Sequence, residues 1–184
     1  MKSATTGSLS PEYVLLGMLA QNPAHGYGVH RRLSRDLNQV WHLSQSQIYN
    51  ILNRLENQGD IRGTILEQDK LPDRRYFELT ESGIDRYEQW LMAPSRTTVR
   101  AIRVEFTTRL YFAVAQDVRI AHKIVEEQIA ETQQGLKRLI NQQASIPDDQ
   151  KFNKLGLDLR IRQIKSILEW LESILVSVEA RVNL

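Results

Sequence analysis

From Ser44 to Asn57 the chain reads SQSQIYNILNRLEN, and its hydrogen-bonding side chains fall on one side of a helical pattern. Ile48, Ile51, Leu52 and Leu55 recur at the i, i+3, i+4, i+7 spacing of a single buried face. The outer side carries Ser46, Tyr49, Asn50, Asn53, Arg54 and Asn57. A surface helix usually presents charge there. Amides and hydroxyls instead give and take hydrogen bonds in set directions, which suits reading the polar edges of another molecule. Asn and Gln match adenine edges, Arg matches guanine edges, and the major groove of B-form DNA admits one helix. The plainer alternative is an amide-rich face that serves solubility alone, with Tyr49 packed at the margin of the core.

Other chemistries find little support. The chain has no cysteine, so neither a disulfide framework nor a thiolate nucleophile is available. It has no glycine-rich phosphate loop and no nucleophile elbow. The four histidines are His25, His30, His42 and His122. His25 and His30 lie near each other, but no carboxylate follows at ligand spacing and His122 is remote, so surface or internally satisfied histidines fit better than a metal site. The acidic pairs Glu126-Glu127 and Asp148-Asp149 fit a solvated helix face and a helix start. No cofactor, no metal and no enzymatic activity is expected.

The 184 residues allow one ordinary domain or two small ones, and 41% apolar with 25% charged residues is a soluble globular profile. The opening MKSATTGS lacks the apolar run of a signal peptide, and no stretch approaches the roughly 20 apolar residues that span a bilayer. A cytoplasmic protein without membrane association is the expectation. Net charge is +2. Residues 1–95 hold 10 basic against 11 acidic side chains, a net of −1, while residues 96–184 hold 14 against 11, a net of +3. Any basic face must therefore be local. Arg31, Arg32 and Arg35 form one cluster, and Lys70, Arg74 and Arg75 another.

Ser10 can cap a first helix with Pro11 at its first position and Leu9 stapled to Val14. A second helix is expected from about Gly26 to Asn38, with Tyr27, Leu33 and Leu37 inward and the arginines outward. Ser44 and Gln47 make a capping box for the third, Leu43 meets Ile48 as its staple, and Gly59 supplies a left-handed stop. Ile61 to Leu66 and Arg74 to Leu79 read as strands about a polar turn, residues 67–73, that contains Pro72. Leu79, Thr80 and Ile84 repeat the staple and cap before a helix ending at Met92.

Residues 93–99, APSRTTV, mark a domain boundary, beyond which helices are expected near 100–115, 118–143 and 149–182. In the last, Leu157, Ile161, Ile164, Leu168, Leu171, Leu175, Val178 and Val182 alternate steps of four and three. Such a sustained 3.5-residue repeat is a coiled-coil seam. It can join two copies or fold back on residues 118–143 of the same chain. Ile167 and Ile174 widen the stripe enough for both.

Helix, helix, helix, hairpin, helix is the order of a winged helix-turn-helix. The runs HGYGVHRRL, SQSQIYNILNRLENQGDI and PDRRYFELTESG resemble the PadR family of bacterial winged-helix transcriptional regulators. Ile48, Tyr49, Leu52, Leu55, Glu56 and Gly59 carry the recognition-helix pattern, and Arg75 to Gly83 the second wing strand and following helix. The helical tail, including TTVRAIRVEFTTRLYF, looks like the longer subgroup that includes virulence-gene activators. The resemblance implies a mainly α fold: a winged-helix DNA-binding domain over residues 1–93 with a two-stranded β wing, and a helical dimerisation domain over residues 94–184. It implies a homodimer on a palindromic double-stranded DNA operator, commonly repressing, with release by a small-molecule effector in some members. Ser44, Gln45, Ser46, Gln47, Tyr49, Asn50, Asn53 and Arg54 would face DNA, joined by Lys70, Arg74 and Arg75 from the wing. Leu157, Ile161, Ile164, Leu168, Leu171, Leu175 and Val178 would form the dimer seam. The competing reading is a helical protein–protein interaction module whose winged domain binds no DNA.

Overall fold

Local signals in the chain set most helix ends. The Ser10 side chain accepts the Glu12 N–H at 3.3 Å and Pro11 takes the first position of α1 (Pro11–Gln21). Asn22-Pro23 closes it. The computed structural model describes residues 10–66 and 74–182. They fall into two compact units, Ser8–Met92 and a second built from Ala93–Leu184.

In the first unit, α2 (Gly26–Asp36) is capped by a residue outside the usual set: His25 Nδ1 accepts the Gly28 N–H at 2.8 Å. Before it, β1 (Ala24–His25) pairs antiparallel with β3 (Arg74–Leu79), matching Ala24 with Phe77 and His25 with Tyr76. β2 (Ile61–Leu66) pairs with β3 from Ile61↔Leu79 to Leu66↔Arg74, so the sheet order is β1-β3-β2. The third strand has only two residues, too few for alternation to announce it. The expected polar turn at 67–73, and Lys70 with it, lies outside the described residues.

Between α2 and β2 stands α3 (Gln45–Asn57), and after β3 comes α4 (Glu81–Met92). Gly59 has φ +80°, which lets the chain leave α3 without a Cβ penalty. Thr80 Oγ1 and Ser82 Oγ donate to the Gly59 carbonyl at 2.6 and 2.9 Å, tying the start of α4 to this turn. The core gathers Val14, Leu15 and Met18 from α1, Val29 and Leu33 from α2, Ile48, Leu52 and Leu55 from α3, and Phe77 and Leu91. Each such buried side chain contributes about 1.5–3 kcal/mol. Tyr13 stacks on Trp90 at 5.1 Å, fastening α1 to α4.

Two expectations about orientation need correction. Tyr27 is 53% exposed, because Val29, Leu33 and Leu37 hold the inner stripe of α2 and Tyr27 falls on the opposite side. Ile84 is 42% exposed, so it adds little as a staple.

In the second unit, the segment expected near 100–115 is broken by a wider turn. α5 (Val99–Ala101) runs into a π-helical turn (Ile102–Phe106) and then α6 (Thr107–Gln116). α7 (Val118–Ala144) starts on the Asp117 side chain, which accepts the Arg119 N–H at 2.8 Å. α8 (Lys151–Val182) is the longest element, about 48 Å at 1.5 Å per residue. Leu157, Ile161 and Ile164 of α8 cluster with Leu139 of α7, while Leu171 meets Val125, Ile102 and Phe106. Early α8 against late α7, and late α8 against early α7, makes the pair antiparallel.

Candidate nucleic-acid interface

The start of α3 is built as its residue types dictate. Ser44 Oγ accepts the Gln47 N–H at 3.2 Å, and Gln47 Oε1 accepts the Ser44 N–H at 2.8 Å. This reciprocal cap satisfies otherwise orphaned donors. It also occupies two side chains expected to face a partner. Ser46, Asn50, Asn53 and Asn57 recur at steps of four, three and four on the side opposite Ile48, Ile51, Leu52 and Leu55. All four are exposed, as is Gln45, and none of the four has a side-chain hydrogen-bond partner among the described residues. What stays open on this face is a row of one hydroxyl and three amides.

Tyr49 both packs and presents. Its ring lies on Gly26, where an added Cβ would stand 2.6 Å from Tyr49 Cε1, yet 39% of the residue is exposed. Arg54 turns inward at its tip: Nε is 2.5 Å from Glu12 Oε1, and Glu12 is also held by Arg86, which in turn pairs with Asp60. Burial alone lowers the Arg86 guanidinium, but its hydrogen bonds to Asp60 and Glu12 keep it above its ordinary range. Sequence reasoning missed this network, since Glu12 sits in the first turn of α1 and looks like a routine dipole acid. Arg75 is paired 2.7 Å from Glu56, whose carboxylate also accepts the Gly63 N–H at 3.0 Å. The Arg75 guanidinium lies 5.5 Å above the Phe77 ring. Arg74 lies in β3 opposite Leu66; its side chain falls outside the description, as does Lys70.

Family models match the chain in two blocks. The Transcriptional regulator PadR-like family model covers residues 15–89, from within α1 to within α4. The Virulence activator alpha C-term model covers residues 102–178. The first unit of the chain is thus similar to PadR-like transcriptional regulators, and the second to the virulence-activator C-terminal domain. Over 177 residues it is 24% identical to a negative transcriptional regulator, PadR, of Bacillus subtilis, covering 91% of this chain and 97% of that one. A probable transcriptional regulator of Mycobacterium tuberculosis is 28% identical over 86 residues, 47% of this chain and 46% of the relative. Among solved structures, Bacillus subtilis PadR in complex with operator DNA aligns at 26% identity and TM-score 0.44, covering 89% of this chain and 97% of that one.

In this PadR-like chain the expected dimer seam is already occupied. Leu157, Ile161, Ile164, Leu171 and Val178 are at most 8% exposed within the single chain. Leu168 and Leu175 are half-buried, and Leu175 packs beside Phe106 and Leu171. The side chain of Val182 lies outside the description. The repeat therefore folds back on α7 and the π-helical turn, the intramolecular outcome, and these residues have little surface left for a second copy. A different stripe of α8 remains open: Phe152, Leu155 and Leu159 are 88%, 65% and 58% exposed.

The polar interior of the second unit also escaped the sequence reading. Arg109 and Glu105 are each 2% exposed and pair at 2.5 Å one turn apart. Arg109 donates to Ser95 Oγ at 2.8 Å. Gln128 clamps the Ser95 backbone, accepting its N–H at 2.8 Å and donating to its carbonyl at 3.0 Å. Burial pushes the Glu105 carboxyl up, while Arg109 and Arg96 pull it back down. Arg109 in TTRLYF looks like a surface charge in sequence; the π-helical turn brings it inside. Among the described residues no helix is long and apolar enough to cross a membrane.

Proposed function

We propose that this regulator binds duplex DNA through α3, as a homodimer on a palindromic operator, and acts as a repressor. The observation that carries the reading is the row Ser46, Asn50, Asn53 and Asn57: exposed, unpartnered and rigidly mounted on a helix with a closed capping box. Such a row can meet base edges in a major groove with no rearrangement of the helix. Tyr49, Gln45 and the half-exposed Arg54 and Arg75 flank it and can reach phosphates once their inner partners loosen. The relative in Bacillus subtilis is a negative regulator, which favours repression.

The dimer is carried by the open stripe Phe152, Leu155 and Leu159, spaced three and four apart on α8. Three large apolar side chains left in water on one helix face suit a partner surface. Two copies related by a twofold axis would present two α3 helices, so the operator would be palindromic with half-sites about one duplex turn apart. A hollow of about 420 Å³ in the second unit, lined by Val99, Ile167, Trp170, Gln163, Ser166 and Arg162, offers a place for a small-molecule effector.

Footprinting the purified chain on fragments of its own genome, at low ionic strength, tests the reading. A protected inverted repeat is the expected result. Failure to bind any duplex would defeat it and favour a protein-interaction role for the winged unit.

A further inference from the structure

The arginines of the winged unit are mostly spent on the protein itself. Arg35 pairs with Asp36, Arg54 with Glu12, Arg62 with Glu78, Arg75 with Glu56, and Arg86 with Glu12 and Asp60. Arg32 donates to the Met18 and Asn22 carbonyls at 2.6 and 3.3 Å, closing the C-terminal end of α1. Among the arginines whose side chains are described in this unit, Arg31 alone has neither an acidic nor a carbonyl partner, and it is exposed. Residues 1–95 carry a net charge of −1, and among their described side chains one guanidinium stays uncommitted.

Its position connects to the reading helix. The Tyr49 ring of α3 rests on Gly26, the first residue of α2. Tyr27, 53% exposed, stacks on His25 at 6.1 Å, and His25 meets the edge of Tyr76 at 5.3 Å. Arg31 follows Tyr27 by four residues, so the two share a face of α2. A hollow of about 260 Å³, lined by Ala24, His25, Gly28, Arg31, Arg32 and Tyr76, opens beside them. Tyr49 thus sits against the start of α2, the helix that carries Tyr27 and, at the hollow, the free cation Arg31.

We infer that Arg31, with Tyr27 and the adjoining hollow, takes a phosphodiester of the DNA backbone next to the groove that α3 reads. This rests on the DNA-binding reading above and adds a sequence-independent anchor to it. Phosphate contacts fix register and orientation, while base contacts specify. One neutralised phosphate adds about 0.9 to the slope of log affinity against log salt.

Titrating the full-length chain with its operator and with an unrelated duplex, from about 50 to 200 mM salt, tests this. Arg31→Ala is expected to weaken both complexes alike, leave base preference intact, and lower the salt slope by about one. The ratio of wild-type to variant affinity should accordingly shrink about 3.5-fold over that fourfold salt range. Arg31→Lys should restore the slope. Asn50→Ala, in contrast, should lose base preference and keep the slope. If wild type binds while Arg31→Ala matches it in affinity and slope, the anchor is overturned and the recognition helix stands. If wild type binds no duplex, both are overturned.

Discussion

Gly83 meets the backbone of Asp60 so closely that a Cβ at position 83 would stand 1.9 Å from the Asp60 carbonyl oxygen. The first turn of α4 is thereby seated on the turn that follows α3, where Thr80 N–H also donates to that oxygen at 3.0 Å. Backbone cannot swing aside as a side-chain tip can. Gly83→Ala should destabilise the winged unit by about 3 kcal/mol or more, read by denaturant unfolding. Gly156, in α8, is the counter-case: nothing lies within 4 Å of its Cβ position. Gly156→Ala should stabilise by about 0.5–1 kcal/mol, because only chain entropy changes.

The Glu105–Arg109 pair lies inside the second unit, so removing one member strands a charge. Arg109→Met or Glu105→Gln should each cost about 3–5 kcal/mol, and replacing both by apolar residues should cost less than either alone. Equal or additive losses in unfolding experiments would contradict this. The pair also sets a pH trend. Burial raises the Glu105 carboxyl, so the folded chain holds that proton more tightly than the unfolded chain. From this group alone, stability rises as pH falls from above the raised folded value toward the unfolded one, and Glu105→Gln should lack that component.

On α3 the two polar residues Asn50 and Arg54 should part company. Among the described residues Asn50 has no side-chain hydrogen-bond partner, so Asn50→Ala should cost about 1–3 kcal/mol of specific DNA binding at unchanged stability. Arg54→Ala also releases one of two arginines that neutralise Glu12. It should therefore lower melting temperature as well as affinity. Glu12→Gln, which weakens both ion pairs at a side chain only 10% exposed, should cost about 1.5–3 kcal/mol of stability in a melting experiment.

Charge placed on α8 should have opposite consequences on its two faces. Leu171 is fully buried against Val125, Ile102 and Phe106, so Leu171→Asp should unfold the second unit. Phe152→Asp or Leu155→Asp should leave helicity intact and shift sedimentation from dimer to monomer. A Phe152→Asp and Leu155→Asp double variant that still sediments as a dimer would remove this stripe from the interface.

Elements governed by near neighbours were readable in advance. The Ser44–Gln47 capping box, the Ile48–Leu55 stripe, the Gly59 stop and the strands Ile61–Leu66 and Arg74–Leu79 each depend on residues a few positions apart. Their physics, capping, periodicity and turn geometry, is local, and so the pattern carries it. The long alternation of α8 likewise predicted a greasy face.

What covers that face, and which polar side chains stay free, depended on contacts far apart in the chain. Arg54 finds Glu12 across 42 residues and Arg86 finds it across 74, withdrawing a guanidinium from each surface where spacing alone had left one. Leu171 packs on Val125 and the π-helical turn, and the two-residue strand Ala24–His25 exists only because β3 lies beside it. Periodicity states which atoms must leave water; it does not say what will take the water's place. That choice is made when distant segments compete for the same surface, and here it left four side chains on α3 exposed and without a partner among the described residues.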